Sequence, residues 1–368
     1  MSAEGFTDGT ALPRPEGLVR RLRRRRAAFA SLVFLAFLYA LLPFVEIIAP
    51  YAPETRSNDH IYMPPMAIRI VHEGRLTAPH VFAMQTTLDT ETFQRRFIAD
   101  PTQPQALRFL CAGDAYMLWG LIPGDFHLVC PPEGGRLHLL GTDRLGRDIF
   151  SRILHGARIS LTIGLIGVAI SFFLGCLLGG LAGYAGGRMD ALVLRLIEIL
   201  RAIPELPLWM ALAAALPANW SAISVYFGIT IILGLLDWPG LARAVRAKIM
   251  SLREEDYVVA AELLGASRSR VLFLHMLPNF SGHLIVSLTM AVPAMILGET
   301  ALSFLGLGLR PPVVSWGVLL NDAQSVSAVE LYPWLLAPLV PVVLVVLAFN
   351  VLGDGLRDIA DPYRRPSS

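Results

Sequence analysis

The sequence predicts an all-α membrane protein of about six transmembrane helices, with a small β-containing insertion outside the membrane between the first two. Three observations carry that reading. The apolar content is too high for a soluble domain, it is gathered into runs of spanning length, and arginine is placed at the ends of selected runs. Of 368 residues, 54% are hydrophobic and 16% charged, where a soluble domain carries about 25% charged residues. Mean hydropathy is +0.56. Apolar runs fall near 27–50, 157–185, 190–216, 222–242, 280–306 and 331–352. About 20 helical residues cross a hydrocarbon layer of roughly 30 Å. Buried helices of a soluble core would show a polar face, and these runs mostly lack one.

The chain opens with a tail, 1–26, whose first 19 residues are rich in Gly, Pro, Ser and Thr and read as disordered. Arg20, Arg21, Arg23, Arg24, Arg25 and Arg26 then abut the first span. Its apolar stretch, residues 27–49, is longer than the 7–15 residues of a signal-peptide core and no small-residue cleavage site follows, so it reads as an uncleaved anchor. Basic residues also follow the fourth span (Arg243, Arg246, Lys248, Arg253, Arg268, Arg270) and the sixth (Arg357, Arg364, Arg365), whereas the loops at 217–221 and 306–330 carry only Arg310. The positive-inside rule therefore places both termini and the 243–279 loop in the cytoplasm. Net charge is +2, and the arginine run has no folded basic domain around it, which argues against nucleic acid as a partner.

Residues 51–155 form the largest segment outside the membrane. Short alternating stretches at 67–71, 80–84, 107–111 and 136–140 are separated by Pro- and Gly-containing breaks, the pattern of a small β cap. Cys111 and Cys130 lie in this segment, where an oxidising compartment allows a disulfide between them; Cys176 lies in the second span. Tyr116 and Trp119 read either as ligand or binding-protein contacts or as packed core of the cap.

The five later spans and their loops make a core, 156–352, followed by a tail, 353–368. In the second span Gly167, Ser171, Gly175, Gly179 and Gly183 recur every four residues, a stripe of small side chains on one helix face. Such a stripe lets two helix backbones approach, as static packing or as a flexible gate. Charges at membrane depth are few. Arg195, Glu198 and Arg201 are spaced so that the glutamate can reach both arginines. Glu205 lies between Pro204 and Pro207, which should break the third span locally. Asp237 precedes Trp238 and Pro239. Glu205 and Glu299 have no evident local partner and are the candidates for a translocation pathway, since intramembrane charges face an interior or a water-filled cavity.

Enzymatic signatures are missing. The chain has one lysine, Lys248, preceded by Ala247, so a phosphate-binding G-x-x-x-x-G-K-[ST] loop cannot be formed. There is no H-E-x-x-H, C-x-x-C or G-x-S-x-G, and His155, His275 and His283 are scattered. No catalytic residue and no metal ligand set is expected. If ATP is used, another chain binds it.

The 243–279 loop is the most specific feature. Ser251 and Glu254 have the spacing of a capping box that would start a helix. Glu254, Glu255 and Asp256 suit its first turn, and Gly265 suits its C-terminal cap. Ser267 can cap a second short helix, and Pro278 marks re-entry into the membrane. Two short helices with a tight elbow, shallow at Ala260 and Ala261, are shaped for a partner's groove.

This stretch resembles the EAA loop of ABC importer permeases, whose pattern is E-A-A, three residues, Gly, nine residues, then I-x-L-P. Ala260, Ala261, Gly265, Leu277 and Pro278 match in register; Val259 and His275 stand where Glu and Ile are usual. The run EEDYVVAAELLGAS, the segment 139–164 and the segment 298–317 resemble the dipeptide/oligopeptide (Dpp/Opp) branch, and the likeness extends over about 139–363. Residues 51–138 match loosely and exceed the usual loop length. The resemblance implies the type I ABC importer permease fold in an inner membrane. It implies a second homologous permease subunit, two ATPase subunits that bind ATP and Mg and dock on the loop, and a periplasmic substrate-binding protein. The ATPase-coupling set is then Glu255, Asp256, Ala260, Ala261, Glu262, Gly265, Leu277 and Pro278, in a mechanical element spanning 252–266. Oligopeptides are the expected cargo, with oligosaccharides or nickel as alternatives. An ATP-independent secondary transporter is the rival of a different class, but it has no use for such an elbow.

Overall fold

The computed structural model describes residues 18–88, 95–217 and 219–360. The tail at 1–17 and the C-terminal Arg364 and Arg365 lie outside the described residues, while Leu18 and Val19 already belong to a short helix, Leu18–Arg23. Among the described residues five helical stretches are long and apolar enough to cross a membrane: Arg26–Ile48, Ile149–Ala185, Ala222–Leu252, Ser281–Phe304 and Pro333–Ala360. The first comprises α1 (Arg26–Leu41), a 3-10 turn at Leu42–Phe44 and a last turn at Val45–Ile48. The others supply α2 (Ile149–Ala185), α5 (Ala222–Leu252), α7 (Ser281–Phe304) and α9 (Leu339–Ala360).

The third span is broken where the prolines around Glu205 predict. It divides into α3 (Gly187–Ala202) and α4 (Glu205–Ala214), with Ile203 extended at φ −98° and ψ 132°. Proline disfavours the helical conformation in the residue before it, so Pro204 ends α3 at that point. Pro207 sits in the first turn of α4, where a missing N–H costs nothing. Three further boundaries move. Helix α2 begins at Ile149 rather than at 156, because Asp148 caps it by accepting the Ser151 N–H at 2.7 Å. Helix α5 runs on to Leu252, and α9 continues to Ala360, seven residues past the expected tail boundary at 353.

The small-residue stripe is where α2 meets α5. Gly167, Ser171, Gly175, Gly179 and Gly183 are all buried. A Cβ on Gly179 would lie 2.4 Å from the Ala242 carbonyl oxygen, and one on Gly183 would lie 2.7 Å from the Arg246 carbonyl oxygen. The α5 side reciprocates, since a Cβ on Gly234 would lie 2.9 Å from the Gly167 carbonyl oxygen. The two backbones touch along several turns, which is the close packing that small residues permit. Helix α9 lies against α1 and α7, and Arg25 at the start of α1 pairs with Asp358 near the end of α9.

Between α1 and α2 stands the cap. Strands β1 (Arg69–His72), β2 (Arg75–Leu88) and β3 (Arg95–Ala106) form an antiparallel sheet in sequence order, and β4 (Arg108–Leu118) pairs with β5 (Ile122–Cys130) as a hairpin. Glu73 and Gly74 join β1 to β2 with φ of 49° and 75°, the two left-handed residues of a tight hairpin turn. The β content exceeds the sequence expectation. Strand β3 contains Pro101 and Pro104, and the register jumps from Phe82↔Pro104 to Ala83↔Asp100, so a bulge takes up the intervening residues. Residues 136–140, expected as a strand, are not in a ladder. Instead Leu137 is buried and its N–H donates to the Tyr51 hydroxyl at 2.9 Å. Cys111 and Cys130 form a disulfide across the hairpin, with 6.4 Å between their Cα atoms.

Candidate functional site: the elbow and the buried polar groups

The elbow begins where α5 ends. Ser251 and Leu252 are still helical, so Ser251 cannot cap the next helix. Glu255 is the residue that precedes α6 (Asp256–Leu263), and it caps with its backbone carbonyl, which accepts from Val258 and Val259 at 2.9 and 3.2 Å. Asp256 occupies the first turn, where the helix dipole favours it. At the other end Gly265 has φ +83°, its N–H donates to Glu262 at 2.9 Å, and the Ala266 N–H donates to Ala261 at 3.0 Å. That pair of bonds is the Schellman arrangement, and it requires the left-handed residue that glycine supplies. The second helix starts after Ser267, whose side chain makes no capping bond, and passes through a π-helical stretch, Val271–Met276, to Asn279.

One face of the elbow is fixed to the membrane helices. Val258 is fully buried in a cluster with Cys176 of α2, Val245, Ile249 and Leu252 of α5, and Met276 and Leu277 beyond the elbow. Glu262 accepts a hydrogen bond from the Tyr184 hydroxyl at the end of α2, and the Asn279 side chain donates to the Tyr257 hydroxyl at 3.0 Å. The other face is bare. Leu263 and Leu264 are 84% and 89% exposed, Val259 and Ala260 are exposed, and Pro278 is exposed while Leu277 is buried. Ala261 is half-buried against the cluster. A short helix held from above and apolar below can pass displacement to α2 and α5, because packed interiors are stiff.

The two pathway candidates are placed very differently. Glu205 is exposed at the start of α4. Glu299 on α7 is fully buried and does have partners: Ser160 of α2 at 3.1 Å, Ser303 one turn along at 2.8 Å, and Ser315 at 2.7 Å. The spacing from Glu299 to Ser303 made the local partner legible. Ser315 also accepts from Val318 at the start of α8 (Trp316–Asn321), so the carboxylate fastens the loop after α7 to α2. Arg195, Glu198 and Arg201 are exposed on α3, and no ion pair joins them among the described residues. A cavity of about 270 Å³ lies instead between α2, α5 and α7, bordered by Arg201, Asp237, Ser171 and Ser287. Ser171 donates to Asp237 there at 3.1 Å.

Sequence reading missed two polar clusters. Glu46, the single acid in the first apolar run, takes two bonds from Arg158 of α2 at 2.7 and 2.6 Å, and the same arginine donates to the Leu42 carbonyl. Its isolation in an apolar run was the available signal. Around the start of α2, Asp143 joins Arg147 at 2.7 Å and also pairs with Arg152, while Asp322 lies 3.4 Å from Arg144 and 3.6 Å from Arg152. Burial pushes the Asp322 carboxyl above its ordinary value, and Arg152 opposes that shift. His138 bonds Asp148 at 3.0 Å beneath Tyr51, whose hydroxyl burial raises to about 12. These groups tie the start of α2 to the segment after α8. Asp143 and Arg147 are only four residues apart, but nothing local announces Asp322, which is far from 143–152 in sequence.

A multi-span helical core with its soluble elements in loops and an elbow fixed to the spans is the architecture of a membrane permease subunit. Residues 153–366 match the family described as binding-protein-dependent transport system inner membrane component, and residues 17–65 match the N-terminal TM domain of oligopeptide transport permease C. The chain belongs to the first of these families. It is 41% identical over 235 residues to the dipeptide transport system permease protein DppC of Bacillus subtilis, covering 64% of this chain and 71% of that one. It is 42% identical over 243 residues to the di/tripeptide transport system permease protein DppC of Pseudomonas aeruginosa, covering 65% and 77%. The oligopeptide transport system permease protein OppC of Bacillus subtilis is 40% identical over 229 residues, covering 62% and 72%. Residues 66–152, most of the cap, lie between the two family matches.

Proposed function

We propose that this chain forms half of the translocation pathway of an ATP-driven importer for oligopeptides. A second, homologous permease completes the pathway, and a soluble binding protein delivers the cargo on the cap side. Two ATPase subunits bind ATP and Mg, while this chain binds neither and catalyses nothing. The chain sits in a bacterial inner membrane with both termini cytoplasmic, as the arginine placement argues.

The observation that carries the reading is the elbow. Leu263 and Leu264 offer apolar surface to a groove, while Val258 and Glu262 bind the same helix to α5 and α2. Closure of the ATPase subunits would push α6 and tilt the spans above it. Peptide cargo is favoured by the relatives, which are named for dipeptides, di/tripeptides and oligopeptides. An ATP-independent transporter would leave the bare face of α6 without a purpose.

The test is reconstitution with the ATPase subunits and binding protein in proteoliposomes. Ala261→Arg should insert normally, leave basal ATP hydrolysis in place and abolish peptide uptake. Normal uptake by that variant would overturn the coupling assignment. Uptake of oligosaccharide or nickel in place of peptide would overturn the cargo and leave the coupling untouched.

A further inference from the structure

The β4–β5 hairpin stands apart from the rest of the cap in one respect. Its tip, residues 115–124 (AYMLWGLIPG), carries no charge, and aspartates Asp114 and Asp125 flank it on the two strands. The apolar side chains there are not packed away: Met117 is 51% exposed, Trp119 54%, Leu121 77% and Ile122 53%. A patch of that kind on a soluble surface marks something that covers it.

Two contacts fix the height of the tip against the first span. Midway along β5, His127 is buried with Nδ1 2.7 Å from the Ala49 carbonyl oxygen, just past the end of the span at Ile48. At the turn, the Trp119 indole N–H donates to the Pro43 carbonyl oxygen at 2.9 Å. Pro43 lies five residues inside the end of the spanning stretch, a depth of about 7.5 Å at 1.5 Å per residue. The hairpin therefore runs back alongside the first span, and its turn lies about 7.5 Å along that helix from its end at Ile48. Phe44, beside Pro43, is 48% exposed and continues the patch onto the exposed side of the first span.

We propose that the β4–β5 tip is a membrane-interface anchor, inserted into the outer boundary of the leaflet on the cap side. Charge and depth agree independently. The uncharged ten-residue tip is the part that lies below the surface, and the aspartates begin where the strands rise out of it. Tryptophan suits such a boundary, with its ring in the apolar zone and its N–H satisfied; here the Pro43 carbonyl takes that bond. Backbone groups at the tip are largely closed by the hairpin ladder and the turn, as lipid contact requires. The cap is thereby held at a fixed height and tilt over the mouth of the pathway.

Nitroxide labels at Leu121→Cys and Ile122→Cys, in a Cys176→Ala background, test this in the complete transporter reconstituted in phosphatidylethanolamine and phosphatidylglycerol vesicles. Collision rates are read with oxygen, which concentrates in lipid, and with a water-soluble nickel chelate. Labels at Phe37→Cys on α1 and Leu76→Cys on β2 serve as lipid and water references. The expected result is an oxygen-to-nickel ratio at both tip positions several-fold above that at Leu76 and close to that at Phe37. A ratio equal to that at Leu76 would put the tip in water. Protection from both reagents would mean that another protein covers it. Either outcome overturns the proposal, and two labelled positions guard against one variant failing to fold.

Discussion

Replacing Gly265 tests the elbow by backbone alone. Its φ is +83°, and a Cβ built there meets nothing within 4 Å. Gly265→Ala therefore introduces no clash, only the left-handed conformation of an L-residue, a cost of about 1–2 kcal/mol. Asparagine tolerates that region better and should cost less. Proline holds φ near −65°, removes the N–H that donates to Glu262, and disfavours the helical backbone of Leu264, for a total of about 3 kcal/mol or more. An isolated helix as short as α6 is unstable by itself, so its geometry depends on these end contacts. A shift of about 1.4 kcal/mol changes the population of the set elbow about tenfold if opening is the competing state. In proteoliposomes, peptide uptake per ATP hydrolysed should fall in the order Gly, Asn, Ala, Pro, with the wild type and the three variants inserted in the membrane to similar yield. Wild-type stoichiometry in Gly265→Pro would refute the reasoning, as would an alanine variant no better than proline.

Glu299→Leu should lower the melting temperature in detergent far more than Glu299→Gln, because leucine leaves the hydroxyls of Ser160, Ser303 and Ser315 without their acceptor, at about 1–3 kcal/mol for each group left unsatisfied; equal losses would mean that hydrogen bonding is not what the carboxylate contributes. Gly179→Leu should prevent recovery of folded protein, since even a Cβ meets the Ala242 backbone, whereas Gly74→Ala, which meets nothing but must keep φ +75°, should be recovered at a cost of about 1–2 kcal/mol. Replacing Cys111 and Cys130 by serine should destabilise the hairpin by roughly 3 kcal/mol, given the 19-residue separation, and speed limited proteolysis of the cap; the wild type should show the same acceleration only with reductant. His60 is partly buried, with its protonated form disfavoured by burial and by His138 and Arg136, so its folded pKa lies below the ordinary 6.5. Its contribution to cap stability is present above 6.5 and lost as pH falls through the lower folded value; proteolysis of the cap should accelerate on acidification, and His60→Gln should flatten that dependence.

Helix α2, the elbow and the hairpin show where sequence and structure divide. The sequence by itself determined the membrane class, because spanning length and arginine placement are local quantities. It determined a close-packing face on α2, because a four-residue repeat of small side chains can only lie on one helix face; that α5 fills it is read from the structure. It also determined the Gly265 stop and the cysteines of the cap. The prolines around Glu205 also located the break at Ile203–Pro204, because the restriction they impose is local. Tertiary structure decided the rest. It moved the elbow's start from Ser251 to Glu255, because packing against α2 carried α5 through to Leu252. It paired Glu46 with Arg158, gathered Ser160 and Ser315 on Glu299, and set Trp119 on Pro43. Those contacts join residues far apart in the chain, and no local pattern encodes a partner that only folding brings near.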